Sequence, residues 1–250
     1  MKKVIAFADF HVNMLGSDVL DEARRIVKLA EADIAVIAGD VFESSVQFNP
    51  YKELSKLGCP VVFCLGNHEF AYRSVEDTLK FYRDYADSKK YDVHCLDIEG
   101  SCEIGDINFI GNVLWYDGSF KDYPIQSETK IDKRWLDSTI VNFDFREENR
   151  KCAEQIFNSY KPKQKNFLVT HCCPDISLNE HSKNGPSIFN FYSGMNLLEK
   201  LEEKNMPLTM AVCGHTHRYS SSMVHGVLAV NIGNDYYFKT HDLKHMVFYI

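Results

Sequence analysis

The sequence predicts a single domain of the α/β class. Its first half alternates short apolar segments with segments of helical pattern, and this alternation indicates parallel strands joined by helices. Its last quarter returns to short apolar segments, which indicates further strands. With 250 residues, of which 45% are hydrophobic, the chain can fill one large core. We therefore expect one domain over residues 1–250, built on a mostly parallel sheet that helices cover.

The alternating half predicts three strand–helix units. Strands are expected at residues 4–8, 34–38 and 61–65, and helices follow them at residues 19–30, 51–57 and 75–85. Residues 93–114 change to short strands with tight connections, in which Gly105-Asp106 resembles a hairpin turn. Beyond residue 145 we expect helices at 146–160 and 197–203, and strands at 166–169, 209–213, 221–225, 227–232 and 246–250.

Residues 115–145 do not fit this alternation. The stretch is aromatic, charged and only weakly periodic, so we interpret it as a lid-like excursion from the domain. Its first two residues, Trp115 and Tyr116, either shape a pocket or pack the excursion against the domain.

Composition narrows the class of partner and the compartment. There are 28 Lys and Arg residues against 35 Asp and Glu, for a net charge of −7, and this balance disfavours a long nucleic-acid-binding surface. Asp9 interrupts the N-terminal apolar run, which is then too short for a signal peptide or a membrane span. The eight cysteines include no C-x-x-C pair, and most lie in apolar runs. We therefore expect reduced cysteines, a cytoplasmic location and no membrane association.

Five polar clusters follow predicted strands. They are Asp9-x-His11, Gly39-Asp40-x-x-Glu43, Gly66-Asn67-His68-Glu69, His171 and Gly214-His215-x-His217, and they hold five of the ten histidines. Each cluster alone could be an ordinary turn or cap. Ligands of open α/β sheets bind outside the carboxyl ends of strands, so together the clusters are expected to face one crevice.

The residue types in these clusters suit a pair of divalent metal ions. Imidazole nitrogens and carboxylate oxygens bind Mn, Fe and Zn, and a preceding glycine lets the backbone turn sharply toward an ion. Two ions about 3.5–4 Å apart need a bridging carboxylate, and they can activate water for displacement at phosphorus. Their charge exceeds that of two aspartates and a hydroxide, so an acidic chain can still hold a phosphate there.

As an ordered set, the clusters resemble the calcineurin-like metallophosphoesterase superfamily, whose motifs are D-x-H, G-D-x-x-D, G-N-H-[E/D], H and G-H-x-H. The resemblance spans residues 9–217. It implies two mixed β-sheets packed as a sandwich between helices, in four layers. It also implies a phosphoric ester hydrolase, either a phosphatase or a phosphodiesterase, in which a hydroxide that bridges two metal ions attacks phosphorus in line.

The resemblance also implies a role for each matching residue. It assigns Asp9, His11 and His217 to the first metal, Asn67, His171 and His215 to the second, and Asp40 to both as the bridge. His68 corresponds to the family's general acid, which protonates the leaving oxygen. Mn²⁺ is the ion we expect, with Fe, Zn and Ni as alternatives.

Two positions depart from the family pattern. Glu43 stands where most members have Asp, and its extra methylene still lets it reach and orient His68. Ser44 stands where relatives that act on phosphoproteins carry an arginine, which disfavours a protein phosphatase.

Arg73 and Arg218 are candidates for substrate binding, since a guanidinium suits a phosphate, although a surface role fits each of them equally well. Asn13 is a third candidate, which either shapes the substrate pocket or packs the excursion against the domain. We expect a small phosphomonoester or phosphodiester, a nucleotide among the candidates. The alternatives are a nuclease of the same superfamily, which the acidic balance disfavours, and a non-catalytic scaffold that keeps the fold.

Overall fold

Two β-sheets form the centre of the protein. The computed structural model describes residues 1–44, 48–86, 90–120, 131, 133, 135–139, 141, 143–180, 188–233 and 246–250. Within them the strands are β1 (Lys3–Phe7), β2 (Ile34–Ala38), β3 (Val61–Cys64), β4 (Val93–Cys95), β5 (Ser101–Ile104), β6 (Ile107–Asn112), β7 (Lys165–Thr170), β8 (Met210–Cys213), β9 (Tyr219–Val224), β10 (Val227–Ile232) and β11 (Met246–Tyr249).

Short and long helices connect these strands. They are α1 (Val12–Leu15), α2 (Asp18–Ala30), α3 (Pro50–Ser55), α4 (Val75–Ala86), α5 (Leu96–Glu99), α6 (Phe145–Ser159), α7 (Ile188–Phe191) and α8 (Leu197–Glu203), with 3₁₀ helices at Asn67–Phe70, Leu136–Thr139 and Ile176–Leu178. No helix in the described ranges has both the length and the apolar character needed to span a membrane.

Both sheets are mixed. The first has the order β11-β1-β2-β3-β4, in which only β11 runs antiparallel to its neighbour. The second has the order β5-β6-β7-β8-β10-β9, parallel in the middle and antiparallel at both edges. The strand–helix alternation predicted a mostly parallel sheet, and the parallel strands of both sheets agree with that.

The sheets and helices form four layers. Val36 and Phe109 belong to one apolar cluster between the two sheets. On its other face the first sheet packs against helices, where Phe63 and Leu54 share a second cluster. The outer face of the second sheet packs in the same way, where Leu168, Ile156 and Leu201 share a third cluster. This arrangement confirms the predicted αββα sandwich.

The strands that carry the polar clusters are recognisable because they are buried on both faces. All five residues of β2, Ile-Ala-Val-Ile-Ala, are buried, and an inner parallel strand shows this continuous apolar run rather than alternation. The Gly105-Asp106 hairpin also forms, since Ile104 pairs with Ile107. Helices α1, α5 and α7 were not predicted, because a single helical turn is too short to show a 3.6-residue period.

The described part of the 115–145 stretch packs inward. Trp115, Tyr116, Phe120 and Phe145 are all fully buried. The packing alternative for Trp115 and Tyr116 is therefore the one observed. Residues 121–130, 132, 134, 140 and 142 lie outside the described residues, and the lid stays a prediction.

A carboxylate joins the two sheets at the end where the polar clusters gather. Asp97, in α5, accepts a hydrogen bond from the backbone N–H of Leu65, just after β3, at 2.7 Å. Its other oxygen accepts from the N–H of Val113, just after β6, at 2.9 Å. One side chain thus fixes the spacing between a loop of the first sheet and a loop of the second.

We predict that Asp97→Asn destabilises the fold by about 1–3 kcal/mol, because the amide offers one acceptor where two backbone donors need one each. Urea unfolding measures the change. Asp84→Asn is the matched control, since the Asp84 side chain is 60% exposed and should change stability by less than about 0.5 kcal/mol. Equal stability of the Asp97 variant and the wild type would refute this role.

Candidate metal centre

The fold brings all seven predicted metal ligands together. They follow the carboxyl ends of strands from both sheets: Asp9 and His11 after β1, Asp40 after β2, Asn67 after β3, His171 after β7, and His215 and His217 after β8. The first five are buried and the last two are half-buried. The parallel strands of the sandwich therefore bring these seven side chains together at one edge, where the sequence predicted that the clusters would meet.

The backbone at this site is strained. Five of the seven residues have φ between 42° and 70°, the left-handed region: Asp9, His11, Asp40, His215 and His217. They make up half of the ten non-glycine residues with positive φ in the described chain. Such conformations cost about 1–3 kcal/mol each and cluster at functional sites, where the surrounding structure holds them. Here they turn side chains from neighbouring strands toward one point.

Glycines before the ligands allow this close approach. A Cβ atom on Gly66 would lie 2.1 Å from Oδ1 of Asp40, and one on Gly39 would lie 2.4 Å from Nδ1 of His171. Neither position has room for a side chain. Only glycine fits at these positions of the G-D and G-N-H motifs, because each glycine lies in close contact with a predicted ligand from a neighbouring loop.

The first donor set consists of Asp9, His11, Asp40 and His217, whose ligand atoms all lie within 4.8 Å of one another. Nε2 of His11 is 3.4 Å from Nε2 of His217 and 3.6 Å from Oδ2 of Asp40. Nε2 of His217 is 3.9 Å from Oδ1 of Asp9. Two imidazoles and two carboxylates thus converge on one small volume.

The second donor set consists of Asn67, His171 and His215. Oδ1 of Asn67 is 2.9 Å from Nε2 of His171 and 3.1 Å from Nδ1 of His215, and these two nitrogens are 3.2 Å apart. The other nitrogen of each ring contacts a backbone carbonyl. His171 Nδ1 is 3.0 Å from the carbonyl oxygen of Ala38, and His215 Nε2 is 2.9 Å from that of Tyr192. Carbonyls only accept, so those nitrogens carry protons, and in a neutral ring the converging nitrogen then carries a lone pair.

Asp40 faces both donor sets with a single oxygen. Its Oδ1 accepts the backbone N–H of His68 at 3.0 Å. Its Oδ2 is 3.3 Å from Nε2 of His171 and 3.6 Å from Nε2 of His11. Burial raises the pKa of this carboxyl, but the charges on His171 and His68 outweigh it and bring the pKa well below its usual value. The carboxylate is therefore charged, with one oxygen between the two sets.

These residues fit divalent cations. The amide oxygen of Asn67 and the converging nitrogens of His171 and His215 lie 2.9–3.2 Å from one another, which brings three acceptor atoms together unless a proton or a metal ion lies among them. Burial and the charge of His171 lower the pKa of His215 to about 3. Burial and His11 lower the pKa of His217 to about 2. Both rings are therefore neutral at physiological pH, which is the form that binds a metal.

The need for positive charge also shows in His171. Burial lowers its pKa, but the carboxylate of Asp40 outweighs that effect and raises the pKa to about 9. Burial in turn raises the pKa of Asp9 to about 6. Both shifts favour binding of a proton, because positive charge stabilises this cluster of acceptor atoms. A bound metal ion would supply the same positive charge.

His68 and Glu43 lie beside the first donor set. Nδ1 of His68 is 3.0 Å from both carboxylate oxygens of Glu43, so the longer acid does reach this histidine. Glu43 Oε1 is also 3.4 Å from Nδ1 of His11. Burial lowers the pKa of His68, but Asp40 and Glu43 outweigh it and raise the pKa to about 10. One carboxylate thus holds a protonated histidine and a predicted metal ligand.

The three residues predicted to bind substrate have different surroundings. Oδ1 of Asn13 accepts the backbone N–H of Glu43 at 3.1 Å, which holds the Glu43 loop. The guanidinium of Arg73 lies over the ring of Phe81, 5.0 Å from its centroid, in a shallow groove along α4. Arg218 is exposed directly after His217. Their contact with substrate stays a prediction.

Two buried carboxylates support the site and were given no role from the sequence. Glu69 accepts the backbone N–H groups of Val41, Phe42 and Gly66 at 2.7–2.8 Å, which ties the Asp40 loop to the Asn67 loop. Its place in the G-N-H-E motif was a signal for this. Asp137 accepts from the side-chain amide of Asn67 at 2.8 Å. Nothing in the aromatic stretch around Asp137 marked it.

Solved structures with the same fold include phosphoesterases. A phosphopantetheinyl hydrolase from Mycobacterium tuberculosis has a TM-score of 0.65 at 17% identity, with 93% of this chain and 89% of that one covered. A dimetal phosphatase from Danio rerio has a TM-score of 0.58 at 13% identity, with 98% of this chain and 91% of that one covered. GAP50, described as the anchor in the inner membrane complex of Plasmodium, has a TM-score of 0.51 at 12% identity, with 93% of this chain and 71% of that one covered. At these identities the likeness is one of fold.

A comparison with curated protein sequences found no significant match. The family model for calcineurin-like phosphoesterases, in contrast, matches residues 2–219, a span that contains every residue of both donor sets together with His68 and Glu43. The chain therefore belongs to the calcineurin-like phosphoesterase family, whose members are metal-dependent phosphoric ester hydrolases.

Proposed function

We propose that this protein hydrolyses a small phosphomonoester or phosphodiester at a pair of divalent metal ions, with Mn²⁺ as the expected metal. The position of Asp40 Oδ2, 3.3 Å from a nitrogen of the second donor set and 3.6 Å from a nitrogen of the first, is the observation that carries the proposal. A single oxygen shared by two convergent donor sets suits a bridge between two ions.

The proposed roles follow the two donor sets. Asp9, His11 and His217 would hold one ion, Asn67, His171 and His215 would hold the other, and Asp40 would be a ligand of both. When bound, two such ions lower the pKa of a water molecule and neutralise the charge that develops on a phosphoryl group in transfer. The chain's own part is to hold these donors rigidly and to supply the proton that the leaving group needs.

His68 is the proposed proton donor. Its ring centroid is 4.7 Å from that of His11, so it lies beside the proposed metal pair. Its Nδ1 is engaged by Glu43, which leaves Nε2 to protonate the leaving oxygen. Glu43 is a positioning residue, because it fixes the tautomer and orientation of His68 and does not itself touch substrate.

The surroundings favour a small substrate. Ser44 stands where relatives that act on phosphoproteins have an arginine, and the chain carries a net charge of −7, which opposes binding along a nucleic-acid backbone. We also propose a cytoplasmic location, since all eight cysteines are free thiols and six of them are buried. Unpaired buried thiols are typical of reducing compartments.

A non-catalytic scaffold is the alternative from another class. GAP50, described as an anchor, has the same architecture. A scaffold has no need of seven convergent donors held by strained backbone, however. The complete donor set therefore favours the hydrolase.

The function is tested by removing and restoring metal. We expect a chelator to abolish turnover of bis-nitrophenyl phosphate or nitrophenyl phosphate, and added Mn²⁺ to restore it. Preference for the diester indicates a phosphodiesterase, and preference for the monoester indicates a phosphatase. If neither ester is turned over although two Mn²⁺ ions bind, the scaffold becomes the better account.

The bridging role is tested by Asp40→Asn. An amide cannot both accept the His68 N–H and present a charged oxygen to two ions, so we expect turnover to fall by at least about 100-fold and Mn²⁺ content to fall with it. Metal analysis after dialysis and steady-state rates give the result. Asp84→Asn is the control, and full turnover by the Asp40 variant would refute the metal assignment.

The proton donor is tested with esters of different leaving groups. We expect His68→Ala to keep its metal and to lose about 10²- to 10⁴-fold on an alkyl phosphate, but far less on a nitrophenyl ester, whose leaving group needs no proton. Glu43→Gln should show a milder loss with the same dependence, and the exposed Glu76→Gln none. An equal loss by His68→Ala on both esters argues against general-acid action, and loss of metal from Glu43→Gln would make Glu43 a ligand.

A further inference from the structure

The amide of Asn67 has two possible orientations, and only one of them suits a metal. With Oδ1 toward His171 and His215 it presents a lone pair to the second donor set. With the amide reversed it presents N–H donors there, which cannot bind a cation. In their neutral, metal-binding form the ring nitrogens it faces, His171 Nε2 and His215 Nδ1, both accept hydrogen bonds, so they do not by themselves enforce the metal-binding orientation.

Asp137 supplies the missing constraint. Its Oδ1 is 2.8 Å from Nδ2 of Asn67, and a carboxylate can only accept, so the amide nitrogen must face it and the amide oxygen must face the histidines. The 3₁₀ helix Leu136–Thr139 carries Asp137, which is 2% exposed.

Asp137 also accepts hydrogen bonds from two aromatic side chains. Its Oδ2 accepts from the hydroxyl of Tyr116 at 3.0 Å and from Nε1 of Trp135 at 3.0 Å. Three donors therefore converge on two oxygens, and the aromatic stretch that leaves the sheet after β6 returns here to complete the metal centre.

We propose that Asp137 is a positioning residue that selects the metal-binding orientation of the Asn67 amide, and through it the occupancy of the second metal position. The inference rests on the proposed function, since it assumes that the second donor set holds an ion. It gives residues 115–145 a role apart from any lid, because Tyr116, Trp135 and Asp137 all belong to that stretch.

Exchange of the two side-chain types provides the test. Asp137→Asn places an amide opposite the amide of Asn67. The introduced amide has only one oxygen, so its NH₂ group must face one of the donors of Asn67, Tyr116 and Trp135. Adding Asn67→Asp restores the pairing in reverse: the introduced amide donates to the introduced carboxylate, whose other oxygen faces the histidines. A role limited to filling space would not respond to this reversal.

Binding of Mn²⁺ alone is the measurement, by equilibrium dialysis and metal analysis of the full chain. We expect two ions on the wild type, weaker binding of one of them by about 10- to 100-fold in Asp137→Asn, and recovery to within a few-fold of wild type in Asn67→Asp/Asp137→Asn. Asp144→Asn is the matched control from the same stretch. It is an exposed helix N-cap, for which asparagine is equally suitable, so both ions should remain.

Each outcome separates this inference from the proposed function. A folded Asp137→Asn that binds both ions like the wild type overturns the inference and leaves the proposed function standing, as does a folded double variant without recovery. If Asp137→Asn alone does not fold, the double variant decides: two ions support the inference, and fewer overturn it. A wild-type chain that binds fewer than two Mn²⁺ ions overturns the proposed function and the inference with it.

Discussion

The demand for positive charge around Asp40 is the constraint on which the rest of the site depends. Two carboxylates and several imidazole lone pairs converge there from both sheets, with little access to water to screen them. Such a cluster is stable only with cations among its members. The left-handed backbone at five predicted ligands and the close-packed glycines before Asp40, Asn67 and His215 allow this cluster to assemble, and backbone strain of this kind is typical of functional sites.

A second layer of acceptors gives each donor its orientation. The carbonyls of Ala38 and Tyr192 fix the protons of two histidines, and Glu43 fixes those of two more. These partners lie at the end of β2 or in the connections that follow β2 and β7, one strand from each sheet. Rigid placement of donors is what lets a dinuclear centre stabilise charge in a transition state without reorganisation.

The sequence predicted those parts of the site that have local signatures. Inner parallel strands are continuous apolar runs, so the positions of their carboxyl ends, and the polar residues after them, could be located. Asp137 could not be, because it meets Asn67 across 70 residues and its neighbours show no period. The same holds for Arg73: its position after a ligand cluster suggested substrate, but only the fold reveals the ring of Phe81 beneath its guanidinium. Contacts between distant side chains are set by packing, which a single sequence does not display.

The central claim, that one oxygen of Asp40 lies between two ions, is tested most directly by anomalous diffraction at the manganese edge from crystals soaked in Mn²⁺. The account predicts two peaks about 3.5–4 Å apart, one among Asp9, His11 and His217 and the other among Asn67, His171 and His215, with Asp40 Oδ2 bound to both. A single peak, or two peaks that do not share Asp40, would contradict it.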